Sequence, residues 1–446
     1  MRLQKRVKIW NERIRMDNFA QAGTIETVTC PFCGLLCDDL TVQRDSAGNL
    51  KVMDKGCARS VTFFERPIAT PSPRIQGKPV ALQEAIAKAA EILGNSRQPL
   101  LAGLGTEVFG MRAVMNLAES NRATLDHMNS NGFMRNIHVL QNSGWFTTTL
   151  TEVRNRVDLL LVIGTDIISL FPRFFEREIW NKETMFEQDT SQREVVYLGG
   201  RNIDTSAGVS PDGRQPDVLP CDLDRLPEVV AALRALILGK KLHATEVAGI
   251  AVADLEKLSQ RLLAAKYSVV TWAAAPLDFP HAELTIQNIT ELVIALNKTT
   301  RSAGLPLGGS DGDISANQVS AWISGYPMRN SYARNYPDYD PYLYSTSRQL
   351  ESGEADSLFW VSSINPERTP PATNVPTVVF GHASMELAKE PEVFIPVGTP
   401  GVDHKGIMFR SDNVVSLPLQ QLRSHTLPTL SEVLRAIEQT LQTSVQ

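Results

Sequence analysis

Leu159-Leu160-Leu161-Val162-Ile163-Gly164-Thr165-Asp166 is a run of five apolar residues closed by a glycine and two polar residues. A short run with no alternation suits a strand buried on both faces of a parallel sheet, because a strand with one wet face places a polar residue at every second position. On its C-terminal side, Val195 to Leu198 and Ser268 to Trp272 read the same way, and residues 225–238, 254–265 and 281–297 have helical spacing. On its N-terminal side, Leu82, Ile86, Ala89 and Leu93 mark one face of a helix that Gly94-Asn95 ends, followed by a strand at Pro99 to Leu104 and a helix over 107–121. The last third repeats the rhythm, with strands at Leu358 to Val361, Val378 to Phe380 and Val393 to Pro396, and a closing helix with Ser431 as its N-cap. This alternation predicts an α/β fold of doubly wound sheets, in which ligands settle at the carboxyl ends of strands. Leu358-Phe359-Trp360-Val361-Ser362-Ser363-Ile364-Asn365-Pro366 occupies in the second half the place that residues 159–166 hold in the first. The two read as strand-loop units of a duplicated nucleotide-binding architecture, although either alone is the commonest feature of an α/β protein.

At 446 residues, 43% apolar and 21% charged, the chain is long enough for two to four packed lobes. A net charge of −5 with scattered basic residues leaves no electrostatic footprint for nucleic acid. No window approaches the roughly 18 uninterrupted apolar residues of a membrane span, and the chain reads as soluble and cytoplasmic. Residues 1–25 form a basic arm with Arg2, Lys5, Arg6, Lys8, Arg13 and Arg15 against Glu12, and no apolar stretch of a secretory signal follows. The arm reads as solvated and flexible, or as the product of an upstream start codon with Met16 as the true beginning; a partner-binding arm is the alternative.

Four of the five cysteines crowd into residues 30–57, whereas Cys221 stands alone. Clustered cysteines in a large chain without a secretory signal point to metal rather than to a disulfide framework. Cys30, Cys33, Cys37 and Cys57 are spaced C-x2-C-x3-C-x19-C, three thiols on one loop and a distant fourth. That suits a [4Fe-4S] cubane, in which each ligand reaches a different iron, better than tetrahedral zinc, which draws on two paired knuckles. Zinc, loss of the metal, or a purely structural thiol cluster are the alternatives. Residues 26–62, short extended pieces broken by Gly34, Asp45 to Gly48 and Gly56, form a lobe of their own. The seven histidines are dispersed without ligand spacing and read as surface or packed polar residues.

The stretch Cys30 to Leu40 with the distant Gly56-Cys57-Ala58-Arg59-Ser60 resembles the cluster lobe of the molybdopterin oxidoreductases, and most closely the B subunit of formylmethanofuran dehydrogenase. The likeness continues in Gly325-Tyr326-Pro327, in Arg334-Asn335-Tyr336-Pro337-Asp338-Tyr339-Asp340-Pro341, in Ile395 to Val402 and in Arg410 to Val414. It implies a [4Fe-4S] lobe at 26–62 and, over 63–446, interleaved Rossmann-like lobes split near residue 300. Between those lobes the family holds a molybdopterin guanine dinucleotide with molybdenum or tungsten, the centre that reduces carbon dioxide to formate. The resemblance also implies a multisubunit complex with a zinc amidohydrolase-like A subunit, a C subunit and a formyltransferase D subunit. A related methylotroph complex runs only formyl transfer and hydrolysis.

The departure lies at Leu125 to Gln141, where Gly132 and Phe133 stand in place of the family's metal-ligand cysteine and its histidine. Glycine has no donor atom, and no cysteine occurs between Cys57 and Cys221, which leaves Ser130 as the substitute ligand to consider. Met134 and Arg135 are expected to crowd the pocket. Gly164-Thr165-Asp166-Ile167 departs from the family's Gly-x-Asn-Pro, whereas Asn365 and Pro366 keep it as a degenerate pterin site. Arg334 matches a family arginine and reads as an oxyanion contact, or as an ion pair to Asp338 or Asp340. The implied role is a redox-silent scaffold subunit in formyl and formate metabolism. The alternatives are an active molybdenum or tungsten formylmethanofuran dehydrogenase subunit and an unrelated zinc-binding module.

Overall fold

The computed structural model describes residues 22–444, so the basic arm up to Gln21 and the Met1 or Met16 question lie outside the described residues. The fold is mixed α/β with several sheets. Residues 159–307 build a five-stranded, all-parallel sheet in the order Asp217–Leu219, Glu194–Leu198, Leu159–Ile163, Ser268–Ala273, Ser302–Leu307. Every residue of Leu159–Ile163 and of Ser268–Ala273 is buried, as runs without alternation require.

A nine-stranded sheet takes its strands from both sides of that segment. Its core is parallel, in the order Thr124–His127, Pro99–Gly105, Ser357–Ser362, Thr377–His382, Val393–Val397. Short antiparallel strands close each edge, Asn330–Ser331 and Asp338–Tyr339 on one side and Arg74–Ile75 and Lys78–Pro79 on the other. The Leu159 and Leu358 runs thus hold central positions in two different sheets. The helices fall where the apolar periodicity places them, at Leu82–Asn95, Val108–Ser120, Leu226–Ile237, Val252–Ala264 and Ala282–Leu296.

The closing helix, Leu430–Ser444, starts before Ser431. Its cap is Thr429, whose hydroxyl accepts from Glu432 N at 3.2 Å while the Glu432 carboxylate accepts from Thr429 N at 2.8 Å. This reciprocal pair satisfies two donors at once, which a cap at Ser431 does not.

The N-terminal lobe is a three-stranded antiparallel sheet, Gly23–Val28, Leu40–Arg44 and Leu50–Asp54, with the cysteine loop between its first two strands. Two glycines lock it onto the five-stranded sheet. A Cβ on Gly34 would lie 2.1 Å from Gly308 O, and one on Gly309, whose φ is +95°, would lie 2.6 Å from Gly34 Cα. Backbone meets backbone here, so neither position has space for a side chain. No described helix is long and apolar enough to cross a membrane.

Candidate functional site

Cys30, Cys33 and Cys37 are buried in a tight loop that Cys30 N closes on Cys37 O at 2.8 Å, and Leu36 turns it with φ +44°. Cys57 arrives from the N-terminus of the helix Ala58–Phe64, where its sulfur accepts from Ser60 N at 3.5 Å. All four cysteines line one small cavity with Lys55, Ser60, Pro172 and Arg173. Among the described residues, no three His, Cys, Asp or Glu side chains close up as a site for a single metal ion.

Burial, reinforced by Cys33 and Cys37, pushes the Cys30 thiol well up, and burial pushes the Cys33 thiol up as well. Burial raises Cys37 to about 12, against the lowering effect of Arg177 and Arg173. Buried, mutually repelling thiols become stable thiolates when a cation shares their charge, so the donor set suits a metal centre.

A second, larger cavity of about 770 Å³ opens beside Cys33. The carboxyl ends of parallel strands from both large sheets converge on it and contribute Met128 and Asn129, Ala273 to Ala275, Leu307 to Asp311, and Ile364 with Asn365. This is where an open parallel sheet receives ligands. The expectation that side chains fill the pocket is therefore corrected. Met134 turns into the core, 2% exposed, whereas Arg135 does line the cavity with Phe133, its guanidinium drawn to Ala274 O at 3.0 Å and Asp278 Oδ1 at 2.5 Å, without filling it.

Gly132 lines the cavity from the first turn of the helix Ser130–Ser143. A Cβ there would lie 2.9 Å from Ala275 Cα and 3.2 Å from Ala275 N, so the neighbouring backbone closes the position to any side chain. Ser130 does not replace it: the residue is 1% exposed, its hydroxyl accepts from His127 N at 3.2 Å, and it is not among the cavity-lining residues. Thr165 is turned inward, donating to Ile163 O and accepting from Ala273 N, and Asp166 caps the short helix Ile167–Leu170.

Asn365 reaches the cavity and donates to Asp311 Oδ1 at 3.2 Å, with Pro366 following it in the chain. Arg334 does not reach it. It pairs with Asp338 at 3.2 Å, 67% exposed, because both belong to an edge hairpin that lines a different, polar cavity of about 410 Å³.

Other groups of the large cavity went unflagged in the sequence. Arg368 donates to Asp311 Oδ2 at 2.8 Å and to Asn129 Oδ1 at 2.7 Å. Asn129 N donates to His127 Nδ1 at 3.0 Å, which leaves the ring proton on Nε2 facing Asp311 O at 3.2 Å. Burial lowers His127 to about 4 and keeps it neutral, against the upward pull of Asp311. Asp313 is wholly enclosed, and burial together with the Asp311 charge raises it to about 7, while its Oδ1 has no hydrogen-bond partner. The signal for this network was the loop Gly308-Gly309-Ser310-Asp311-Gly312-Asp313 between the strand Ser302–Leu307 and the helix Asp313–Ser324, a glycine-rich turn with two carboxylates. Arg329 is a further buried arginine, bonded to Asp126 Oδ1 at 3.3 Å and Pro341 O at 2.6 Å.

No family model matches the chain. It is 26% identical over 410 residues to the B subunit of the tungsten-containing formylmethanofuran dehydrogenase 2 of Methanocaldococcus jannaschii, covering 87% of this chain and 92% of that one. It is 29% identical over 348 residues to the B subunit of the formyltransferase/hydrolase complex Fhc of Methylorubrum extorquens, covering 75% of this chain and 87% of that one. The crystal structure of the Methylorubrum extorquens formyltransferase/hydrolase complex FhcABCD with methylofuran contains a chain that superposes with a TM-score of 0.70 at 26% identity, over 84% of this chain and 100% of that one. The chain is a homologue of the B subunits of formylmethanofuran dehydrogenase and of the formyltransferase/hydrolase complex.

Proposed function

We propose that this chain is the B-type subunit of a cytoplasmic formyltransferase/hydrolase complex of one-carbon metabolism, a redox-silent scaffold that joins A, C and D subunits. The observation that carries the redox-silent reading is the closure of Gly132 by the Ala275 backbone. A molybdenum or tungsten ion held by dithiolenes takes a further ligand with an oriented neighbour shell. If Gly132 and Phe133 hold the places of the family cysteine and histidine, the first has no donor atom and no space for one. Phe133 in turn cannot exchange a proton. The residues present therefore do not fit a metal-ligand role at this point.

The convergence of four cysteines on one cavity supports a [4Fe-4S] cluster, with Cys30, Cys33, Cys37 and Cys57 as ligands on a lobe at 26–62 beside Rossmann-like lobes over 63–446. Bound there, a cluster would supply a one-electron carrier and a covalent tie between the cysteine loop and the helix Ala58–Phe64. The chain's own contribution is to bury three soft donors, with the half-buried Cys57 as the fourth, around one space.

The second reading is an active molybdenum or tungsten formylmethanofuran dehydrogenase subunit, favoured by the open cavity of about 770 Å³ with Asn365 in its lining. One experiment separates the two. The complex purified anaerobically is assayed for metals and pterin and for formate-linked dye reduction. The scaffold reading expects formyl transfer or hydrolysis without reductant, no dye reduction, and neither molybdenum nor tungsten. Dye reduction that tracks with either metal refutes it.

A further inference from the structure

The aspartates that follow the third cysteine are held by two arginines from a distant segment. Arg173 grips Asp39 through both terminal nitrogens at 2.7 and 2.8 Å, and Arg177 bonds Asp38 Oδ1 at 2.9 Å and Asp39 Oδ1 at 2.7 Å. Both guanidiniums are enclosed, their side chains only 5% and 15% exposed, in a medium where charges interact far more strongly than in water. Arg177 N bonds Arg173 O at 3.0 Å, so the two lie one helical turn apart on one face, and the turn widens to an i+5 bond from Trp180 N to Phe175 O at 2.7 Å. Arg173 lines the cysteine cavity itself. Arg177 Nε–H is buried with no acceptor among the described residues, although an enclosed guanidinium nitrogen ordinarily has one.

We propose that Arg173 and Arg177 are positioning residues for the cysteine centre, which set its reduction potential by holding positive charge against its Cys37 side. This rests on the cluster reading above. A cubane with four thiolates is anionic and gains a further negative charge on reduction, so fixed cations beside one corner favour the reduced state. Arg173 and Lys55 line the cavity with Cys37, and the second carboxylate on Arg173, Glu176 at 2.7 Å, is more than half exposed, so solvent screens its charge more than that of the enclosed guanidiniums. The aspartates fix where the guanidiniums sit, so the charge cannot swing out to solvent.

The test is a redox titration of the full-length chain in its anaerobically purified complex, followed by electron paramagnetic resonance of the reduced cluster, with iron and labile sulfide counted per chain. Arg177→Gln is expected to make reduction roughly tenfold less favourable, a fall of 59 mV for one electron. Arg177→Lys keeps the charge and is expected to stay nearer the wild-type potential, which a merely structural role for Arg177 does not predict. Asp38→Asn removes a half-exposed negative charge while Asp39 still holds Arg177 at 2.7 Å, and is expected to shift the potential upward. Unchanged potentials at wild-type iron content overturn the proposal, as does an equal fall in the Gln and Lys variants. If Arg177→Gln fails to load iron, Asp38→Asn decides: an upward shift supports the proposal and no shift overturns it. A wild-type chain without iron and labile sulfide overturns the cluster reading itself, and this proposal with it.

Discussion

Substituting Gly132 by alanine turns the closed-ligand geometry into a stability measurement whose sign is decisive. In an unobstructed helix, Gly→Ala stabilises by about 1 kcal/mol, since alanine loses less backbone entropy. At Gly132 the new methyl would lie 2.9 Å from Ala275 Cα and 3.0 Å from Ala275 Cβ. Carbon atoms prefer about 3.5 to 4.0 Å, so a contact of this kind costs repulsion or a shift of the backbone. Overpacking of that order costs about 1–3 kcal/mol. The two effects oppose each other, and because the nearest blocking atom is the Ala275 backbone, in the turn two residues past the strand Ser268–Ala273, rather than a flexible side-chain tip, the repulsion should win. Gly132→Ala is expected to lower stability by about 1 kcal/mol, measured as the urea midpoint of the purified chain. Gly132→Cys should lower it further and bind no additional metal, and Ala275→Gly should recover part of the loss by removing one of the blocking atoms. A stabilised Gly132→Ala protein would refute the close approach, and with it the reason for treating the position as closed.

Cys57→Ser should abolish iron loading while leaving the apo protein as stable as before, because a serine hydroxyl caps the helix Ala58–Phe64 at least as well as the thiol that now accepts from Ser60 N; metal analysis and thermal melting check both halves, and a variant that keeps its iron removes Cys57 from the ligand set. Arg329→Ala leaves the buried Asp126 without its cationic partner and is expected to cost about 3–5 kcal/mol in a denaturant titration, whereas a loss within the scatter of surface variants would show the pair to be dispensable. Asp313 is raised to about 7, so its contribution to stability is full below the unfolded carboxylate value and is lost as pH rises through about 7. Asp313→Asn should therefore flatten the decline in melting temperature between roughly pH 4 and 7, and superimposable profiles for the two proteins would disprove the assignment.

The local elements were readable along the chain. Apolar runs such as Leu159 to Ile163 and Ser268 to Trp272 became central parallel strands, and the stripe Leu82, Ile86, Ala89 and Leu93 became a helix face, because burial periodicity is a property of adjacent residues. The cysteine spacing likewise placed three of the four thiols side by side, since they sit on one loop and a turn brings them to the cavity that Cys57 also lines. The cap of the closing helix lies two residues before the expected Ser431, for Thr429 and Ser431 are both capping types and only the Glu432 carboxylate, three residues after Thr429, distinguishes them.

What the sequence could not decide depends on which strand ends meet. Asp311, Asp313 and Arg368 come together at one cavity, with His127 packed behind Asp311, because strands far apart in sequence finish at the same place, and no local pattern encodes that convergence. Arg334 carried a family resemblance but lies in an edge hairpin that faces elsewhere, while the buried Arg329, five residues earlier, engages the core. That residue 132 carries no donor atom is plain from its being glycine. Only the tertiary packing, with the Ala275 backbone 2.9 Å from where a Cβ would stand, decided that the position is also closed, because steric exclusion belongs to the neighbour across the gap and not to the residue that lacks a side chain.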